Sequence, residues 1–186
     1  MIDTLLELTR LKHLPRSGWL RVGVAKPESV AGHSWGVACL TLLLLPDDMS
    51  RERALQYALL HDLAEVRTGD VTPHDGIARE EKVRREREAM KSLCDGLPNG
   101  QKLEALWCAY EHQEDPESRF VRELDRLDMA LQALAYAQEG HDIREFLCSA
   151  DPHITHPTLR SIMDALWKRC DRSSDATPPP PTSGNT

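Results

Sequence analysis

Aromatic residues make up only 5% of this chain, and its apolar side chains are mostly Leu and Ala. Sheets need β-branched and aromatic residues for their half-buried faces, so this poverty argues for helices. A basic surface is missing as well. The formal net charge of −7 argues against a general binder of nucleic-acid polymers. A small anionic substrate would need a local cation in this acidic background. The five cysteines (Cys39, Cys94, Cys108, Cys148 and Cys170) are odd in number and never spaced C-x-x-C. That excludes a zinc cage or a disulfide frame and suits free thiols in a reducing compartment. The longest apolar run, 37-VACLTLLLL-45, stops at Pro46 and is too short to span a bilayer. Asp3, Glu7, Arg10 and Lys12 interrupt the N-terminal apolar positions, so no signal-peptide core is expected. The expectation is a cytoplasmic protein with no membrane partner.

What is present organises into helices. A chain of 186 residues suggests one domain with a core that needs no disulfides. Ile2, Leu5, Leu6, Leu8 and Leu11 follow a helical spacing over 2–12. A loop carrying Pro15, Gly18 and Pro27 follows. Ser29 caps a helix to about Leu45, and a second runs from near Ser50 through His61. Gly69, Pro73 and Gly76 mark 66–76 as a loop. Segments 77–94, 100–112, 117–139 and 157–169 are again helical, and no strand or repeat is evident. The domain is expected over 1–170. The Pro/Ser/Thr-rich tail 171–186 carries too few apolar side chains to offset its ordering entropy. The run 79-REEKVRREREAM-90 reads as a solvated helix face with Glu80–Arg84 and Glu81–Arg85 pairs; Lys82 is the member held in reserve for a binding role.

The chemistry sits in 61-HDLAEVRTGD-70. On a helix His61 and Glu65 share a face, with Asp62 beside them. His33, four residues after Ser29, and Asp125, flanked by core positions in 123-ELDRLDMALQ-132, can complete the group. An acid among core positions is expensive unless paired or bound to a cation. Two His and two Asp form an N₂O₂ set suited to Mn²⁺, Co²⁺, Fe²⁺ or Ni²⁺, and Zn²⁺ also fits.

With these residues on the page, the sequence resembles the HD-domain hydrolases, and most closely their 5′-deoxynucleotidase branch. The resemblance spans roughly 4–170 and rests on 11-LKHLPRSGW-19, 27-PESVAGHS-34, 59-LLHDLAEVRTGD-70, 79-REEKVRREREAM-90 and 120-FVRELDRLDMALQA-133 together. It implies an all-α HD-domain helical bundle, dimeric, hydrolysing deoxyribonucleoside 5′-monophosphates with one divalent transition metal. It implies that His33, His61, Asp62 and Asp125 are metal ligands, with Asp62 and Asp125 also facing the substrate. Glu65 matches the acid that holds the attacking water, Asp70 a second carboxylate, and Arg16 the arginine that orients phosphate. Trp19 matches a tryptophan near the sugar, and 70-DVTP-73 (Asp70, Val71, Thr72, Pro73) a substrate-contacting loop. In chemical terms, Glu65 can take a proton from water, Asp70 can protonate the leaving oxygen, and Arg16 can bind two phosphoryl oxygens at once.

Departures from the family pattern bear on detail. Gly32 stands where an acid usually precedes the first ligand, so a looser first turn under His33 is expected. Arg16 and Trp19 are separated by Ser17 and Gly18, the wider spacing of the eukaryotic-type branch. His74 and Asp75 are expected to face solvent. Asp128 reads as a helix-surface acid, His112 as a helix-end histidine, and His141, His153 and His156 as structural. Two rival readings remain: a two-metal phosphodiesterase or diiron oxygenase, which needs further His ligands, and a non-catalytic nucleotide-sensing module, which would show a damaged constellation.

Overall fold

Capping groups start the principal helices. The computed structural model describes residues 1–174, and helices account for most of them: α1 Ile2–Leu8, α2 Ser17–Arg21, α3 Val30–Leu44, α4 Arg51–Leu60, α5 Glu65–Thr68, α6 Arg79–Cys94, α7 Gly100–His112, α8 Pro116–Gln138, α9 Arg144–Ala150 and α10 Pro157–Ser174. Ser29 caps α3 by accepting the Gly32 N–H at 3.0 Å, and Ser50 caps α4 by accepting from Arg53. Asp115 caps α8: its carboxylate accepts the Ser118 N–H at 2.8 Å, and its own N–H donates to the Ser118 hydroxyl. Pro116, at the first helical position, needs no N–H partner.

The longest of these, α8, runs through the core. Its Phe120, Val121, Leu124, Leu127, Ala130, Ala133 and Leu134 are buried against α3, α4, α9 and α10. Each fully buried large apolar side chain contributes about 1.5–3 kcal/mol by area. On α3 the buried stripe is Val30, His33, Val37 and Thr41, so a histidine occupies a core position. Opposite it, Trp35, Leu42 and Leu43 are exposed, the last at 77%, beside exposed Leu59 on α4. Among the described residues there is no strand; one bridge joins Pro15 and Ser29, with the Arg16 N–H donating to the Glu28 carbonyl. That bridge carries Arg16 to the start of α3.

Several sequence expectations change. The helix expected to continue through His61 ends at Leu60. Bonds from Leu63 N–H to Leu60 O and from Glu65 N–H to Asp62 O tighten the chain into turns before α5 begins. The Trp107 indole N–H donates to the His61 carbonyl at 3.2 Å, a tertiary bond that satisfies this helix end. Short helices α2 and α9 were not anticipated, and Pro73–Asp75 forms a 3₁₀ turn inside the expected loop. Arg84 pairs with Glu81 and Glu88 rather than Glu80, whereas the Glu81–Arg85 pair forms as expected. The last helix runs to Ser174, beyond the expected boundary at 170; the proline run of the tail lies outside the described residues.

Candidate metal and phosphate site

Five segments converge on one cavity of about 300 Å³: Arg16 with α2, the 62–74 segment, α6, α8 and α9. Arg16, Trp19, Asp62, Glu65, Asp70, Val71, Thr72, Pro73 and Asp125 all line it. His33 and His61 lie behind this wall, both buried, with ring centroids 5.3 Å apart. Every residue singled out from the sequence is therefore brought together.

Each imidazole is held through Nδ1, with Nε2 turned toward the carboxylates. The His61 Nδ1 lies 2.9 Å from the Ala58 carbonyl, which fixes its proton there; Nε2 is buried, has no hydrogen-bond partner, and sits 3.2 Å from Asp62 Oδ2. The His33 Nε2 lies 3.0 Å from Asp125 Oδ1 and 3.8 Å from Asp62 Oδ2. One donor atom each from His33, His61 and Asp62 falls within 4.8 Å of the others. Asp125 joins them through His33. A buried acceptor nitrogen with no partner is expensive, and a divalent cation would satisfy it. The donor set fits such an ion.

Asp128, expected on the helix surface, is instead 14% exposed, and its Oδ2 lies 2.8 Å from the His33 Nδ1. Sequence spacing offered one signal, the i, i+3 relation to Asp125, which puts both acids on one face of α8. A second group of possible ligands, Glu28, His33 and Asp128, shares His33 with the first. Neither group contains His74 or His112; His112 stands exposed at the end of α7 and His74 in an exposed turn.

Charge interactions are strong here. Burial and the Arg16 charge work against protonated His33, yet its bonds to Asp125 and Asp128 raise the imidazole to about 10. Burial likewise works against ionised Asp62, but His61, Arg16 and His33 hold it well below the usual carboxylate range. Burial, then the charges of Asp62 and Asp70, pushes the Glu65 carboxyl well above that range, and its Oε2 is buried without a partner.

Arg16 donates to Asp62 Oδ2 at 3.0 Å and lies 3.7 Å from Asp70 Oδ1. Asp70 Oδ2 accepts the Ser17 N–H at 2.5 Å. Asp70 thus ties the loop to the start of α2 and steadies Arg16, which argues against the proton-donor role expected for it. Gly69 makes the reversal at the end of α5, with φ 76° and ψ 167°, a conformation open essentially to glycine alone. Trp19 is 2% exposed, packs on Phe146 and Tyr136, and donates its indole N–H to Glu28 at 3.0 Å. It shapes the wall and has no polar group to spare. The reserve residue Lys82 lines the cavity and donates to the Val71 carbonyl at 3.1 Å. Arg122 and Arg126, missed from the sequence, line it as well.

The formal charges of the lining balance. Arg16, Arg21, Lys82, Arg122 and Arg126 face Asp62, Glu65, Asp70, Asp125 and Glu145. Adding a divalent ion gives the cavity the charge of opposite sign to a phosphomonoester dianion. This meets the need for a local cation in an acidic chain.

Comparison with known proteins gives a consistent picture. Residues 8–167 match the HD domain family model. The chain is 38% identical over 164 residues to the 5′-deoxynucleotidase HDDC2 of Xenopus laevis, covering 86% of this chain and 82% of that one. It is 37% identical over 162 residues to the 5′-deoxynucleotidase HDDC2 of Homo sapiens, covering 84% and 79%. The crystal structure of a Pyrococcus horikoshii protein superposes with a TM-score of 0.76 at 31% identity, over 90% of this chain and 99% of that one.

Proposed function

The chain belongs to the HD-domain 5′-deoxynucleotidase family, and from that premise we propose that it hydrolyses deoxyribonucleoside 5′-monophosphates to deoxynucleoside and inorganic phosphate. It is a metal-dependent nucleotide phosphohydrolase. The observation that carries the site assignment is the buried, unpartnered Nε2 of His61 beside Asp62 and His33.

His33, His61, Asp62 and Asp125 hold the ion. Two imidazole nitrogens and two carboxylate oxygens suit Mn²⁺, Co²⁺, Fe²⁺ or Ni²⁺, and Zn²⁺ fits the same set. An ion held by these residues would supply Lewis acidity toward the attacking water and the phosphoryl oxygens. Arg16, kept in place by Asp62 and Asp70, orients the phosphate. Glu65 takes the proton of the attacking water as the new P–O bond forms, and is placed to return it as the P–O5′ bond breaks. Val71, Thr72 and Pro73 border the nucleoside, and Trp19 limits the space for the sugar.

The active species is a dimer. Support comes from exposed apolar side chains: Trp35, Leu42 and Leu43 on α3, Leu59 on α4, and Ile2, Leu5 and Leu6 on α1. An interface between copies would take such side chains out of water. The compartment is the cytoplasm, supported by five free cysteines; among the described residues no helix is long and apolar enough to cross a membrane.

The test is phosphate release from a panel of deoxy- and ribonucleoside 5′-monophosphates with Mn²⁺, Co²⁺ or Zn²⁺ added. Turnover of the deoxy series, faster than the ribo series, is expected. Cleavage of phosphodiesters in preference to monoesters would overturn the reading.

A further inference from the structure

Arg122 is a cavity cation held in place by an aromatic ring and a carboxylate. It lies one turn before Asp125 on α8, and Arg122, Asp125, Arg126 and Met129 present one face to the cavity. Its guanidinium sits 4.5 Å over the Tyr110 ring, and its Nη2 reaches Glu111 Oε1 at a long 3.4 Å. The side chain is 29% exposed, yet its Nε is buried and has no partner. By contrast, Arg16 already faces two carboxylates, Asp62 and Asp70.

We propose that Arg122 is a second phosphate-binding residue, gripping the substrate phosphate from the α8 side while Arg16 holds it from the α2 side. The inference rests on the reading of the site as a phosphomonoesterase centre and extends it to a residue that neither the sequence motifs nor the ligand set singles out. Arg122 is preorganised. The face of Tyr110 and the carboxylate of Glu111 fix the guanidinium plane before any ligand arrives, so little side-chain entropy is lost on binding. The planar fork of a guanidinium fixed in this way can take two phosphoryl oxygens at once. Arg16 faces two acids and Arg122 only one, at a long 3.4 Å, so Arg122 brings a second guanidinium to the Asp125 side of the cavity. The phosphate that reaches the metal-ligand cluster therefore meets planar guanidinium donors from two elements.

The experiment measures binding of inorganic phosphate to the Mn²⁺-loaded full chain by calorimetry, alongside kinetics with a deoxyribonucleoside 5′-monophosphate. The variants are Arg122→Gln, Arg122→Lys and, as a charge control on the same helix, exposed Arg119→Gln. Arg122→Gln is expected to weaken phosphate binding by about 10-fold or more, the value of one hydrogen bond to a charged group, and to raise KM. Arg122→Lys should recover part of that loss, and Arg119→Gln should bind as the wild type. If Arg122→Gln unfolds, the Arg122→Lys comparison still decides, because a lysine loses the planar fork while keeping the charge and must bind more weakly than the wild type. Unchanged phosphate affinity in Arg122→Gln, or no phosphate binding by the wild type, overturns the proposal. Arg122-dependent phosphate binding without nucleotide turnover would remove the substrate assignment and leave this residue's role standing. Normal turnover with Arg122-independent binding would do the reverse.

Discussion

Asp128 grips His33 from behind, its Oδ2 lying 2.8 Å from the His33 Nδ1 and opposite the Nε2 that faces Asp62 and Asp125. The carboxylate fixes the ring's orientation and tautomer, and makes Nε2 a better donor to a cation. Asp128→Ala is expected to lower Mn²⁺ affinity by about 10–100-fold, measured by competition with a chelating dye. Wild-type affinity in that variant would remove Asp128 from the metal site.

The close approach of α3 and α8 at this point depends on Gly36. A Cβ there would stand 2.9 Å from Asp128 Cγ and closer still to its Oδ1. Gly36→Ala should therefore push the carboxylate off His33 and reproduce the metal-binding loss of Asp128→Ala. Overpacking of this kind also destabilises by about 1–3 kcal/mol, readable by urea unfolding of the metal-free protein.

Gly32 presents the opposite case. Ser29 still caps α3 through the Gly32 N–H, and the His33 N–H bonds to the Ser29 carbonyl at 3.0 Å. A Cβ at Gly32 would meet nothing nearer than 3.5 Å. Gly32→Ala is expected to stabilise the fold by up to about 1 kcal/mol with metal affinity retained. Destabilisation would mean that the glycine has a role beyond helix entropy.

Asp115 joins α8 to α4: it caps α8, accepts the Tyr57 hydroxyl at 2.6 Å and pairs with Arg53 at 3.0 Å. Burial opposes its ionisation, but the bonds from Tyr57, Ser118 and Arg53 lower its pKa. A depressed folded-state pKa gives stability that is fully present above the unfolded value and lost as pH falls through the folded one. Asp115→Ala should cost about 1–2 kcal/mol near neutrality, and the difference from wild type should shrink below about pH 4. A difference that is constant with pH would show that packing, not charge, carries the effect.

The sequence reveals the ligand types at this site more readily than their support. His33, His61, Asp62, Glu65 and Asp125 announce themselves as polar groups among core positions. Asp128 and Arg122 do not, because an acid and a base on a long amphipathic helix look solvated until Gly36 on α3 and Tyr110 on α7 are brought beside them. The end of α4 at Leu60 is hidden for a similar reason. Nothing in 55–68 breaks a helix locally, and the bond from Trp107 to the His61 carbonyl comes from a residue far along the chain. Helices α2 and α9 are too short for a clear period.

If the unpartnered His61 Nε2 marks a metal site, phosphate release depends on an ion bound there. The most direct measurement is bound Mn²⁺ per chain together with deoxynucleotide turnover, for wild type, His61→Ala and Glu65→Gln, before and after chelation. The account predicts tight metal and turnover in the wild type, both lost in His61→Ala, and metal retained with turnover lost in Glu65→Gln. Turnover that survives chelation, or persists in His61→Ala, would contradict it.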